Sequence, residues 1–127
     1  MTQTATIVLF VLGAGIGAPL RYVIDTEVSL RAGGALPVGT LAVNVIGSTV
    51  LGALTALGNR GIGGDDLDLA LGTGLCGALT TFSSFAFETV RLLEDGRVRT
   101  AAATVALNTT CSIVAAAGSY AFLLAVL

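Results

Sequence analysis

Residues 69–87 read Leu-Ala-Leu-Gly-Thr-Gly-Leu-Cys-Gly-Ala-Leu-Thr-Thr-Phe-Ser-Ser-Phe-Ala-Phe, 19 residues without a charge. A helix needs about 20 mostly apolar residues to cross a bilayer core of roughly 30 Å, so this stretch is long enough to span. It is nevertheless a poor continuous helix. Gly72, Gly74 and Gly77 fall close together, and Thr80, Thr81, Ser83 and Ser84 follow directly. Glycine in a helix interior costs about 1 kcal/mol relative to alanine, and hydroxyl side chains compete for backbone groups. Irregular backbone at mid-membrane is tolerated only where it is buried in protein or lines a cavity. Interrupted helices of this kind commonly coordinate ions through freed carbonyls. The stretch is therefore read as a broken spanning helix and as the candidate functional element.

The rest of the chain has the same character. Of 127 residues, 54% are apolar and only 11% are charged, against roughly 25% charged in soluble domains. Every charge lies within residues 21–31, 60–68 or 88–99. Residues 1–20, 32–59 and 100–127 are uncharged like 69–87, and none has the polar face of a soluble bundle helix. The sequence predicts an all-α membrane protein with four spanning helices in a single unit, 1–127, the helices lying near 4–24, 36–58, 67–92 and 99–126. Pro37 suits a first helical turn, and Gly61, Gly63, Gly64 and Gly96 mark tight loops. The first stretch lacks the basic flank of a signal peptide, and three similar segments follow it, so it is expected to be retained.

An even number of spans puts both termini on one side. The first and third loops then share a face with Arg21, Arg31, Arg91, Arg97 and Arg99, while Arg60 stands alone opposite. Lysine and arginine favour the cytoplasmic side, which puts both termini outside. Arg21 is expected at a helix end, where it can serve a site; without it the bias is still four to one.

Small and polar stripes mark the helix faces. Gly13 and Gly17 have the spacing that lets two helix backbones approach closely, and close packing is the expected role. Thr40, Asn44 and Ser48 recur every four residues in the second helix; Thr104, Asn108 and Ser112 do so in the fourth. Such stripes either hydrogen-bond helix to helix or line a path for something hydrated, and spacing alone leaves both open.

Several apparent motifs carry no chemistry. Gly72-Thr-Gly-Leu-Cys-Gly matches a dinucleotide-binding pattern, but no strand precedes it. Asn108-Thr-Thr is a glycosylation sequon within a span. Cys76 and Cys111 have no metal-ligand spacing, histidine is absent, and both cysteines read as small buried apolar residues. No nucleophile–base pair is present and no enzyme is expected. With a net charge of −2 and no basic patch, no nucleic acid is expected as a partner.

In the third helix, Gly74, Gly77, Ala78, Thr80, Thr81, Phe82, Ser83, Ser84, Phe85 and Glu88 follow the pattern G-x-x-G-G-x-T-T-F-S-T-F plus a glutamate. This resembles the Fluc (CrcB) family of fluoride channels. The first helix is similar to that family in Gly13, Ala14, Gly17, Ala18, Arg21 and Tyr22. The second is similar in Pro37, Gly39, Thr40, Asn44 and Gly47, and the fourth in Asn108 and Ser112. Ala14 and Ala78 stand where the family has glycine, Ser84 where it has threonine, and Thr49 where phenylalanine is common.

The resemblance implies a passive fluoride-selective channel that exports cytoplasmic fluoride across a prokaryotic cytoplasmic membrane. It implies an antiparallel dimer with two pores, and a structural sodium ion on the dimer axis held by the backbone carbonyls of Gly77 and Thr80. Phe82 and Phe85 would flank the fluoride path, with Asn44, Ser83, Asn108, Ser112, Thr40 and Thr104 along it, and Arg21 and Glu88 toward a vestibule. The chemistry is consistent: amides and hydroxyls replace water around fluoride without a fixed charge that would trap it, and a phenylalanine edge is weakly positive.

The partner subunit is a second copy or an oppositely oriented homologue. The arginine bias favours the homologue, because a homodimer of antiparallel subunits must insert both ways. Two alternatives belong to other classes. A proton-coupled small multidrug exporter wants a carboxylate within a span, and only Glu88 lies near one. A non-conducting scaffold half of a heteromeric channel would look much the same in sequence.

Overall fold

The computed structural model describes residues 3–34 and 36–127. Helix α1 spans Gln3–Ala32 and α2 spans Val38–Asn59. The third membrane-length segment, Gly64–Glu94, is interrupted. It runs as a short turn α3 (Gly64–Leu67), a π-helical run (Asp68–Cys76), a second short turn α4 (Gly77–Leu79) and helix α5 (Phe82–Glu94). Helix α6 spans Val98–Val126. Four segments are thus long and apolar enough to cross a membrane, and the third is broken where its glycines and hydroxyls cluster.

The first helix runs beyond its expected end near residue 24. Charge does not stop it, because residues one turn apart support one another. Ser29 donates to Asp25 at 3.3 Å, and Arg31 pairs with Glu27 at 3.3 Å. Arg21 consequently lies inside a continuous helix and not at a helix end. The loop glycines behave as expected: Gly61, Gly63, Gly64 and Gly96 all take positive φ, a conformation that other residues rarely adopt.

Packing depends on small residues. A Cβ at Gly13 would run into the Ala70 carbonyl oxygen, and one at Gly17 into that of Leu75. The α1 backbone therefore lies directly on the carbonyls of the π-helical run, as the Gly13/Gly17 stripe predicts. From the other side, a Cβ at Gly74 would lie 2.7 Å from the Phe10 carbonyl oxygen. Helix α2 meets α6 at Gly52, which faces the Ala116 carbonyl, and meets the break at Gly47, which faces the Thr80 methyl group. Among the described residues, the largest fully buried side chains are Val43, Thr40 and Cys76. Ile7, Val11, Leu12 and Ile16 on α1 and Ile113, Val114 and Phe122 on α6 are exposed. Helix association in lipid rests on such close packing and not on burying large apolar side chains.

Candidate functional site

The break sits at Thr80 and Thr81, whose backbones are extended (φ −75°, ψ 157° and φ −146°, ψ 121°). In an unbroken helix the Thr81 N–H would bond the Gly77 carbonyl and the Ser84 N–H would bond that of Thr80. Neither bond forms. Thr81 N–H donates instead to Asn44 Oδ1 at 2.7 Å. Ser84 N–H donates to Thr81 Oγ1 at 3.1 Å, so Thr81 caps α5. The carbonyls of Gly77 and Thr80 are thereby released from their helical partners.

Asn44 holds the break from both sides. Its Nδ2 donates to the Thr81 carbonyl at 3.1 Å and to Asn108 Oδ1 at 3.1 Å. The match to both the N–H and the C=O of Thr81 fixes the amide orientation, since a flip would set NH2 against N–H. The approach depends on Gly47, one turn further along α2, whose missing side chain leaves room for Thr80. Thr80 Oγ1 is held in turn by the Cys76 carbonyl at 3.0 Å.

Beside the break lies a groove of about 440 Å³ lined by Asn44, Gly77, Thr80, Phe82, Phe85, Asn108 and Ser112, together with Ser48, Thr81 and Thr109. Seven residues predicted for the site, from three spanning segments, thus share one cavity. The rings of Phe82 and Phe85 are 5.8 Å apart and inclined by 53°. Phe82 is 80% exposed. Ser112 Oγ is buried without a hydrogen-bond partner. Of the two polar stripes, Asn44 and Asn108 join helix to helix, while Ser48 and Ser112 face the groove.

The other predicted residues lie elsewhere. Thr40, fully buried, donates to Glu88 Oε1 at 2.8 Å, and Glu88 Oε2 is buried without a partner. Glu88 lines a separate cavity of about 280 Å³ with Ser29, Pro37, Arg91, Asp95 and Arg97. Thr104 back-bonds to the Thr100 carbonyl at 2.9 Å. Ser83 is exposed, its Oγ 3.3 Å from Thr81 Oγ1. Arg21 lines neither cavity. Thr81 was the main omission from the predicted set. Its signal is a threonine at the start of a helical stretch, a residue type favoured as an N-cap.

Comparisons with known proteins agree with this architecture. A family described as CrcB-like protein, Camphor Resistance (CrcB), matches residues 8–120. The chain is 50% identical over 111 residues to Fluoride-specific ion channel FluC 1 of Streptomyces avermitilis, covering 87% of this chain and 86% of that protein. It is 47% identical over 107 residues to the FluC 1 of Nocardia farcinica, covering 84% and 72%. It is 44% identical over 109 residues to the FluC of Syntrophotalea carbinolica, covering 85% and 89%.

Proposed function

The chain belongs to the CrcB-like family, and on that premise we propose that it is a subunit of a fluoride-selective channel releasing fluoride from the cytoplasm. It is a multi-pass membrane protein and an ion channel, not an enzyme. The observation that carries the reading is the single groove that combines the helix break, two phenylalanine rings and uncharged hydrogen-bonding side chains.

The groove's chemistry suits a small, strongly hydrated anion. Fluoride entering it must exchange water for donors, and Ser112 supplies a hydroxyl with no competing partner. Asn108 accepts from Asn44 through Oδ1, and no bond from its own Nδ2 is formed among the described residues. Phe82 and Phe85 offer ring edges, which attract an anion without a fixed charge. Ser83, Thr40 and Thr104 would extend the hydroxyl track, with Glu88 and Arg21 toward the vestibule. Uncharged donors keep binding weak enough for release.

Hydrogen-bonding groups in an open groove would be costly to leave against lipid. The uncharged hydrogen-bonding groups beside the break favour a second subunit as its cover, in an antiparallel dimer with two pores. A structural sodium ion at the dimer axis fits the residues present. The Gly77 and Thr80 carbonyls have lost their helical donors, and beyond its own local backbone no atom of the described residues lies within 4 Å of where a Cβ would stand at Gly77. Such an ion would neutralise carbonyl dipoles that converge from two chains. The arginine bias supports an oppositely oriented homologue as the partner.

The test is fluoride efflux from liposomes containing the purified chain, alone and with a co-expressed homologue, read with a fluoride electrode and with chloride as control. Fluoride-selective release in either preparation supports a channel. Release from the chain alone removes the need for a homologue. No release from either overturns the reading in favour of a non-conducting scaffold.

A further inference from the structure

A second groove, about 700 Å³ in volume, lies between α1 and the π-helical run and shares no lining residue with the groove beside the break. Leu9, Leu12, Gly13 and Ile16 recur at the spacing of one helix face and form one wall. Ala70 and Leu71 form the other, and the turn at residues 63–66 closes one end. The α1 wall runs for about 10 Å, a third of the thickness of a bilayer core. The third span begins at Gly64, so the closed end stands at the level of the lipid headgroups. There the lining changes from apolar to acidic. Asp66 accepts a hydrogen bond from Thr6, whereas Asp65 is exposed and has neither a hydrogen bond nor an ion pair among the described residues.

We propose that this groove binds one phospholipid with a primary-amine headgroup, its acyl chain lying along α1 and its ammonium on the Asp65 carboxylate. The site has the make-up of a small-ligand pocket, which holds about 300–1,000 Å³ and sets a few polar groups in mostly apolar walls. Left empty, it would forfeit dispersion contacts along Leu12 and Ile16, which are 57% and 61% exposed. A hydrocarbon chain restores them. The carboxylates select the headgroup. Asp65 and Asp66 repel a phosphate that carries no cation. An ammonium donates charge-assisted hydrogen bonds to the free carboxylate of Asp65, while a trimethylammonium has the same charge and no N–H to donate. The inference does not depend on the fluoride reading, because neither polar stripe lines this groove.

The experiment uses the full chain, purified in detergent with whatever subunit it requires. Thermal unfolding is followed as phosphatidylethanolamine, phosphatidylcholine or phosphatidylglycerol with identical acyl chains is added. A ligand that binds only the folded state raises the melting temperature as it saturates its site. Phosphatidylethanolamine is expected to act at a concentration about tenfold lower than the other two. Asp65→Asn is expected to bring it to the level of phosphatidylcholine, and an exposed, unpaired position should tolerate the change. Asp68→Asn removes a charge from the same end of the span but outside the groove, and is expected to keep the preference. Leu12→Trp fills the groove and is expected to weaken the response to all three lipids. Equal responses to phosphatidylethanolamine and phosphatidylcholine in the unaltered protein overturn the proposal, as does a preference that survives Asp65→Asn. An equal loss in Asp68→Asn overturns it in favour of general surface charge. An undiminished response in Leu12→Trp overturns it in favour of lipid bound elsewhere on the belt.

Discussion

Thr40 donates a 2.8 Å hydrogen bond to Glu88 from a site with no solvent exposure, and the second oxygen of that carboxylate is buried without a partner. The contact joins the start of α2 to the middle of α5 on the side of the break away from the groove. Thr40→Val keeps the volume, removes the donor and leaves both carboxylate oxygens unpaired. An unsatisfied buried acceptor costs about 1–3 kcal/mol, more when charged. The substitution is expected to destabilise the protein by that amount. In a Glu88→Gln background the loss should shrink, giving a coupling of about 0.5–3 kcal/mol for residues in contact. Unfolding of the four proteins of this cycle measures it, and additive effects would refute a direct contact.

Two glycines on one helix separate packing from propensity. Gly13 has the Ala70 carbonyl where a Cβ would go, and the obstacle is backbone; Gly15 has nothing within 4 Å. Gly13→Ala should therefore destabilise by about 1–3 kcal/mol, the usual result of overpacking. Gly15→Ala should be neutral or stabilising by up to about 1 kcal/mol, because alanine favours helix. Thermal unfolding of the two variants side by side checks the order, and a reversed order would mean that α1 does not lie on the π-helical run.

Much of this arrangement is legible in the sequence because the relevant patterns are local. Uncharged stretches of membrane length give the spans, glycine and hydroxyl clustering gives the broken third segment, and the Gly13/Gly17 spacing gives a packing face. The first helix outran its charges because Asp25–Ser29 and Glu27–Arg31 contacts one turn apart extend it, a local pattern that the charge boundary masks. The engagement of Asn44 was not legible. A four-residue polar repeat does not distinguish an amide facing a groove from one clasping a peptide group on another segment, since the difference lies in where Thr81 comes to rest. The π-helical run over Asp68–Cys76 was likewise hidden, because glycine content signals irregularity without specifying its form.

Phe82 gives a sharp separation of function from stability. It is 80% exposed, and its only ring partner among the described residues is Phe85 at 5.8 Å. Phe82→Ala removes little that holds one subunit together, so stability should change by under about 1 kcal/mol, as is usual for substitutions away from a core. If its ring edge stabilises a passing anion by about 1.4 kcal/mol, fluoride efflux falls about tenfold. Ser112→Ala should also slow efflux, and it removes an unpartnered buried hydroxyl, so the fold should tolerate it or gain. Efflux equal to the unaltered protein in both variants would remove the groove from the ion path.

Arg60 is the only basic residue on its face, and its task is visible: Nη2 donates to the Leu124 carbonyl at 2.7 Å, near the last turn of α6. A cation there complements the helix dipole and satisfies a terminal carbonyl. Its presence thus has a structural reason independent of membrane orientation, which makes the excess of Arg31, Arg91, Arg97 and Arg99 on the opposite face the more telling. The chain should insert in one orientation, with both termini outside. Reporter tags at the N-terminus and at the Gly61–Gly64 loop, read in cells expressing this chain alone, test it. A single orientation supports pairing with an oppositely oriented homologue, since a lone antiparallel homodimer needs both. Substantial populations in both orientations would exclude that partner requirement. Exchanging Arg97 and Arg99 for glutamine while placing two arginines in the Gly61–Gly64 loop should shift the chain toward mixed insertion, which ties the effect to these charges and not to helix length.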